Sequence, residues 1–317
     1  MDRWGITIPY FGQGLDRELV GELPSLGYTD AWSAEVSGND GFTPLVLAAG
    51  WAPELRLGTA IVPVSTRGPG LLAMTAATLA DLAPERFVLG IGASSPVIVE
   101  RWNAGEFSKP YARTRDTLRF LRAALAGEKV TEKYETFEIK GFKLDQAPRV
   151  APKIVLAALR PRMLRLAAAE ADGAITNWLS PEDVRKVRAE IDEGTELIAR
   201  LFVIVSEDAD RVRALAKRML AAYLTVPVYA AFHDWLGRGD VLRPMHEAWA
   251  ANDRQAAVKA IPDEVVDQLI VHGDAATCRA RIAEYVANGL NTPVLAPIPT
   301  GETPIAQIVR DLAPERA

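Results

Sequence analysis

Leu55 to Ala93 reads LRLGTAIVPVSTRGPGLLAMTAATLADLAPERFVLGIGA. Two short apolar runs, Leu55–Val62 and Phe87–Ala93, flank a longer stretch, Gly70–Ala83, whose apolar residues fit a helix. Neither run shows a clean polar face, which is what strands in a parallel sheet covered by helices require. Val62-Pro63 within the first run predicts a bulge, because proline cannot serve a central ladder.

The same strand–helix unit repeats in both directions. Upstream lie strands Trp4–Pro9 and Asp30–Glu35. Their helices are Leu15–Leu26, stopped by Gly27, and Thr43–Gly50, with Thr43 as N-cap before Pro44. Downstream, helix Tyr111–Ala126 follows the Phe87 strand. Strand Lys153–Leu159 pairs with helix Pro161–Ala171, and strand Gly173–Trp178 with a helix opened by Ser180-Pro181-Glu182-Asp183. Strand Leu201–Val205, helix Thr277–Asn288, strand Pro293–Ile298 and helix Pro304–Leu312 complete the series. Two segments depart from the rhythm: a hairpin excursion over 128–144, and a helical insertion region over 208–271 after strand seven. Eight units in one chain of 317 residues predict a single α/β domain, a (β/α)8 TIM barrel. An open doubly wound sheet is the alternative, suggested by Gly90-Ile91-Gly92, but the third glycine of a dinucleotide fingerprint is missing.

Composition narrows the function. The chain is 49% hydrophobic and 24% charged, with a formal net charge of -5 and no basic block, so nucleic acid is not an expected partner. The stretch Leu57–Ala80 is interrupted by Pro63, Arg67 and Pro69, so no membrane span is expected. The N-terminus has no apolar run after a basic start, and Cys278 is the single cysteine; both fit a cytoplasmic protein. His233, His246 and His272 have no metal-ligand spacing, so no metal site is expected.

In such a barrel the site lies at the C-terminal strand ends. Those ends offer Glu35, the Ile61–Thr66 run, Ala93–Ser95, Ala157–Arg160, Asn177, Trp178 and Ser206. They hold no base–nucleophile pair and no carboxylate pair, and suit a large flat cofactor better than hydrolysis. Glu35 reads either as a proton donor or as a salt-bridge partner of an arginine such as Arg67. Arg160, before Pro161 at a helix start, reads as an anion site, or else as a surface arginine. Asn177 would lie beside the same anion, and Trp178 would border the site or simply pack. Gly90 and Gly92 either admit a planar ring or relieve a crowded lumen. The insertion is rich in aromatics, and Tyr223, Tyr229 and Trp235 read as a substrate lid, a dimer face or a local core.

These residues also carry a family resemblance. LGTAIVPVSTRGP, ERFVLGIGAS, KPYARTRDTLRFLRAALAGEKV, IVLAALRPRMLRLAAAEADGAITNWLSPED and HGDAATCRARIAEYVANGLNTPVL, in this order, resemble the luciferase-like monooxygenase superfamily, and within it the coenzyme F420-dependent oxidoreductases. The resemblance covers nearly the whole chain. It implies a cofactor at the C-terminal rim and a non-prolyl cis peptide in the third strand, here at Ala60-Ile61. It implies cofactor contacts from Ala60, Ile61, Val62, Gly92, Ala93, Ser94, Ser95, Ala158, Leu159, Arg160, Asn177 and Trp178. The sugar-phosphate dehydrogenases of this branch have an Asp-His pair at the end of strand two. Glu35-Val36 stands there instead, so that substrate and its proton transfer do not carry over. Leu159-Arg160 likewise replaces a frequent glycine.

Three readings follow. The first is hydride transfer between F420 and a small organic substrate. The second is an FMN-dependent monooxygenase fed by a separate flavin reductase. The third is a non-catalytic flavin-binding protein. The resemblance implies a homodimer.

Overall fold

A computed structural model describes residues 3–8 and 14–315. Pro9, assigned by sequence to the first strand, lies outside them. In chain order the elements begin β1 (Gly5–Thr7), α1 (Arg17–Leu26), β2 (Asp30–Ser33), α2 (Thr43–Trp51), β3 (Arg56–Thr59), β4 (Val62–Pro63), α3 (Pro69–Leu82) and β5 (Phe87–Gly92). A π-helical turn, Val97–Trp102, precedes α4 (Pro110–Leu125) and the antiparallel hairpin β6 (Val130–Lys133) and β7 (Glu138–Phe142). Then come β8 (Lys153–Ala157), α5 (Pro161–Glu170), β9 (Gly173–Asn177), α6 (Pro181–Arg188) and β10 (Glu196–Val205). The insertion holds α7 (Ala209–Leu224), α8 (Pro227–Leu236), α9 (Gly239–Ala250), α10 (Arg254–Lys259) and α11 (Asp263–Leu269). The chain ends with β11 (Val271–Gly273), α12 (Ala275–Ala287), β12 (Thr292–Pro297) and α13 (Ile305–Asp311).

Parallel pairing runs β1–β2–β3–β5–β8–β9–β10–β12 and returns to β1, closing an eight-stranded TIM barrel. The bulge expected at Val62-Pro63 is present. Gly58 pairs with Val88 and Val62 with Ile91, so four steps on one strand face three on the other. Strand β10 starts at Glu196, five residues before the expected Leu201, and β11, too short to be read from sequence, pairs with its far end.

Local chemistry sets the helix ends. Gly27, left-handed at φ 98°, closes α1, and Ser180 with Asp183 forms a capping box on α6. Thr43, expected as the α2 cap, is instead the first helical residue. Asp40 does the work, accepting from the Phe42 and Thr43 N–H groups at 2.8 and 3.0 Å.

The lumen is layered. At its N-terminal end Arg56 bonds Asp30, Glu196 and Thr292. Burial opposes its charge, but Glu196 and Asp30 hold its pKa above the usual arginine value. Above lies an apolar plug of Trp32, Val88, Val155, Ile175, Ile198 and Val294. The uppermost layer is different: Thr7, Ala60, Gly92, Ala157, Asn177 and Arg200 leave the mouth open (strand alternation places them). A second core, with Leu220, Leu242 and Val266, docks the insertion onto the ends of β9, β10 and β12. No helix among the described residues is long and apolar enough to cross a membrane.

Candidate active site at the barrel mouth

The floor of the mouth comes from three neighbouring strands. Ala60 and Ala157 are half-buried, Gly92 lies between them, and the Ala60-Ile61 peptide is cis, at the step the resemblance indicated. A Cβ on Gly92 would lie 2.6 Å from that of Ala157, and one on Gly90 would lie 1.9 Å from the Thr59 carbonyl. Crowding therefore demands both glycines, and the close strands produce a flat floor. Thr59 secures it: its hydroxyl accepts from the Gly90 N–H and donates to the Gly90 carbonyl, both at 2.8 Å. Val62 does not reach the floor. It is fully buried in the outer core, packed toward Gly41.

Ala93, Ser94 and Ser95 leave β5 half-exposed at the rim. Ser94 is left-handed at φ 66°, and Ser95 Oγ accepts weakly from the Ile98 N–H at 3.4 Å. Across the rim, Ala158 is buried and its N–H donates to Ile175. Leu159 is half-buried, and Arg160 is exposed at the start of α5, which no side chain caps. Among the described residues no carboxylate pairs with Arg160. Arg162 is turned away, with its guanidinium 3.8 Å from the Tyr111 ring centroid.

Glu35 takes the salt-bridge role. Arg67 Nη2 donates to it at 2.6 Å and the Gly41 N–H at 2.8 Å, tying the β2–α2 loop to the segment after β4. Arg67 in turn lies over Phe42. The carboxylate thus braces the rim.

Four aromatics separate. Trp178, placed at the cofactor by the resemblance, is only 1% exposed and stacks on Phe202 at 3.9 Å. Its backbone is left-handed at φ 53°, which turns the indole into the insertion core instead of the mouth. Trp235 packs against Phe232 beneath Lys186 of α6, outside the mouth. Tyr223 and Tyr229 do reach it, meeting edge to face at 5.8 Å. Asn177 lies near the Tyr229 phenol and favours its ionised form. Burial dominates there and pushes the phenol up to about 12, so it holds its proton across the neutral range.

Arg200 is the residue that sequence reading missed. It projects into the lumen beside Asn177, and its Nε donates to Thr7 Oγ1 at 3.3 Å. A cleft at the opposite end of the barrel, lined by Arg3, Arg56 and Arg86, does not compete. Its cations are committed to Asp30, Glu196 and the Leu55 carbonyl.

Known proteins give the same architecture. A Mycobacterium tuberculosis protein named as a coenzyme F420-dependent oxidoreductase is 29% identical, covering 98% of this chain and 97% of the relative. A solved F420-dependent secondary alcohol dehydrogenase superposes with TM-score 0.76 at 17% identity, covering 98% and 96% of the two chains. The oxygenating constituent of the 3,6-diketocamphane monooxygenase of Pseudomonas putida, solved with FMN, gives 0.66 at 15% identity, covering 99% and 97%. The luciferase-like monooxygenase profile itself matches residues 17–292. With the closed barrel, the bulged third strand and this match over most of its length, the chain belongs to the luciferase-like monooxygenase family, a family of oxidoreductase enzymes.

Proposed function

We propose that this chain exchanges hydride between coenzyme F420 and a small organic substrate at the C-terminal mouth of the barrel. The observation that carries the reading is the flat floor of Ala60, Gly92 and Ala157, beside an uncapped helix start with a free arginine at Arg160. A flat apolar bed next to an anion site fits a planar ring carried on a phosphate-bearing chain. The name of the 29%-identical relative supports F420 over FMN.

When bound, the deazaflavin supplies hydride chemistry at its ring carbon C5. This chain's own residues do the rest. Ala60, Ile61 and the Gly92–Ser95 strand end bed the ring. Arg160, the α5 start and Asn177 hold the phosphate. Tyr223 and Tyr229 wall the mouth and exclude water, and the Tyr229 hydroxyl holds a transferable proton at Oη. Glu35 and Arg67 keep the rim in place. An FMN-dependent monooxygenase fed by a separate flavin reductase is the second reading, favoured by the shared fold with the FMN-bound neighbour.

The same reading includes a cytoplasmic homodimer. Val46 and Leu47 on α2 and Leu71, Met74 and Leu82 on α3 are exposed on adjacent helices, an apolar face suited to a second copy.

The test is turnover of F420 with a panel of small alcohols, aldehydes and ketones, read from the oxidised deazaflavin band. A change that depends on the protein and falls in Arg160→Ala supports the proposal. Oxygen uptake with reduced FMN, and no change in F420 with any compound, overturns it.

A further inference from the structure

The mouth has two halves. Ala60, Gly92 and Ala157 line one, on β3, β5 and β8, and the proposed cofactor uses that half. Arg200 on β10 occupies the other, with Thr7 of β1 and Ala296 of β12. Arg200 sits one step above Ile198 of the apolar plug, so it faces the lumen. Phe202 lies 5.0 Å from its guanidinium carbon, and Tyr223 and Tyr229 stand close by. Among the described residues its two terminal amino groups have no hydrogen-bond partner, and no carboxylate lies within ion-pair distance.

Arg56, at the other end of the same lumen, shows how unusual this is, since it shares two carboxylates. Burial works against the charge on Arg200. The guanidinium is half-buried and unpaired, so part of its hydration is lost without compensation, and it stays protonated. Its planar pair of amino groups matches a carboxylate in shape and charge.

We propose that Arg200 receives a carboxylate carried by the substrate, making this an oxidoreductase for small carboxylic acids. Tyr223 and Tyr229 then line the space for the rest of the molecule. The proposal rests on reading the opposite half of the mouth as the F420 site, so the test begins there.

Wild-type protein is titrated calorimetrically with F420. The loaded and the unloaded protein are then each titrated with benzoate, benzamide and inorganic phosphate. Benzoate should bind about tenfold or more tightly than benzamide. Arg200→Met should lower benzoate affinity by roughly tenfold to a hundredfold while leaving F420 affinity within about twofold. Arg200→Lys should keep part of the preference. Arg200→Met should also melt no lower than wild type, because an uncompensated charge has gone, whereas a merely structural arginine would lower the melting temperature.

Equal binding of benzoate and benzamide, or a preference that survives in Arg200→Met, overturns the inference. Phosphate binding more tightly than benzoate overturns the carboxylate class. Loss of F420 affinity in Arg200→Met assigns the residue to the cofactor and also overturns it. Failure of wild type to bind F420 removes the cofactor reading instead, and the unloaded titrations still decide Arg200.

Discussion

Glu35→Gln keeps the side chain's shape and removes its charge. The structure gives this carboxylate three donors, Arg67 Nη2 at 2.6 Å, Arg67 Nε at 3.4 Å and the Gly41 N–H at 2.8 Å. The two side chains are 17% and 22% exposed. The pair therefore lies between an exposed bridge, worth up to ~1 kcal/mol, and a buried one, whose breakage costs ~3–5 kcal/mol. With screening, about 1–2 kcal/mol is expected. Unfolding entropy of ~2.1 cal/mol/K per residue gives roughly 0.7 kcal/mol/K for 317 residues, hence a fall in Tm of about 2 °C. Arg67→Met should cost a similar amount, and the double variant should cost little more than either. Thermal unfolding of the four proteins measures the coupling, and steady-state turnover runs beside it. Activity should fall less than about tenfold, since the carboxylate braces a loop. An unchanged Tm with a rate lost by ~100-fold or more would make Glu35 a working acid instead of a brace.

His233 is fully buried and, among the described residues, neither ring nitrogen has a hydrogen-bond partner; burial, with Arg238 and His246 nearby, lowers it from 6.5 to about 3. The unfolded chain takes up this proton below about pH 6.5 and the folded one does not until about 3, so stability should fall by ~2 kcal/mol from about pH 7 to 5. Urea unfolding checks it: His233→Leu should flatten that slope, and an unchanged slope contradicts the assignment. Tyr229→Phe should lower turnover by roughly 10²–10⁴ with the F420 dissociation constant nearly unchanged, measured by stopped-flow and fluorescence; wild-type rates would remove the Oη proton from the mechanism. Leu71→Glu with Met74→Glu should convert a dimer to a folded monomer by light scattering, and a monomeric wild type would contradict the dimer reading.

The barrel was legible because most of its strands are apolar on both faces, as β5 and β12 show. In β10, charge carried into the lumen hid the start of the strand. Glu196 and Arg200 broke the apolar run of β10, so its first five residues were lost to view, and Arg200 with them. A charged residue immediately before the apolar run Leu201–Val205 was the available signal. The rim contacts expected from Ala60, Gly92 and Arg160 fall on one side of the mouth, because they sit on adjacent strand ends whose positions the topology fixes. Trp178 and Trp235 could not be placed that way. A left-handed backbone turns one into the insertion core, and α6 covers the other. Glu35 had two sequence readings, and only the position of Arg67 after the bulge separates them.

The decisive measurement is a titration of the purified protein with F420 and with FMN side by side, each followed by fluorescence, in wild type and Arg160→Ala. F420 should bind in the micromolar range or tighter, FMN should give no comparable response, and F420 affinity should fall by about 1.5–3 kcal/mol without Arg160. Preferential FMN binding, or F420 binding indifferent to Arg160, would contradict the F420 reading.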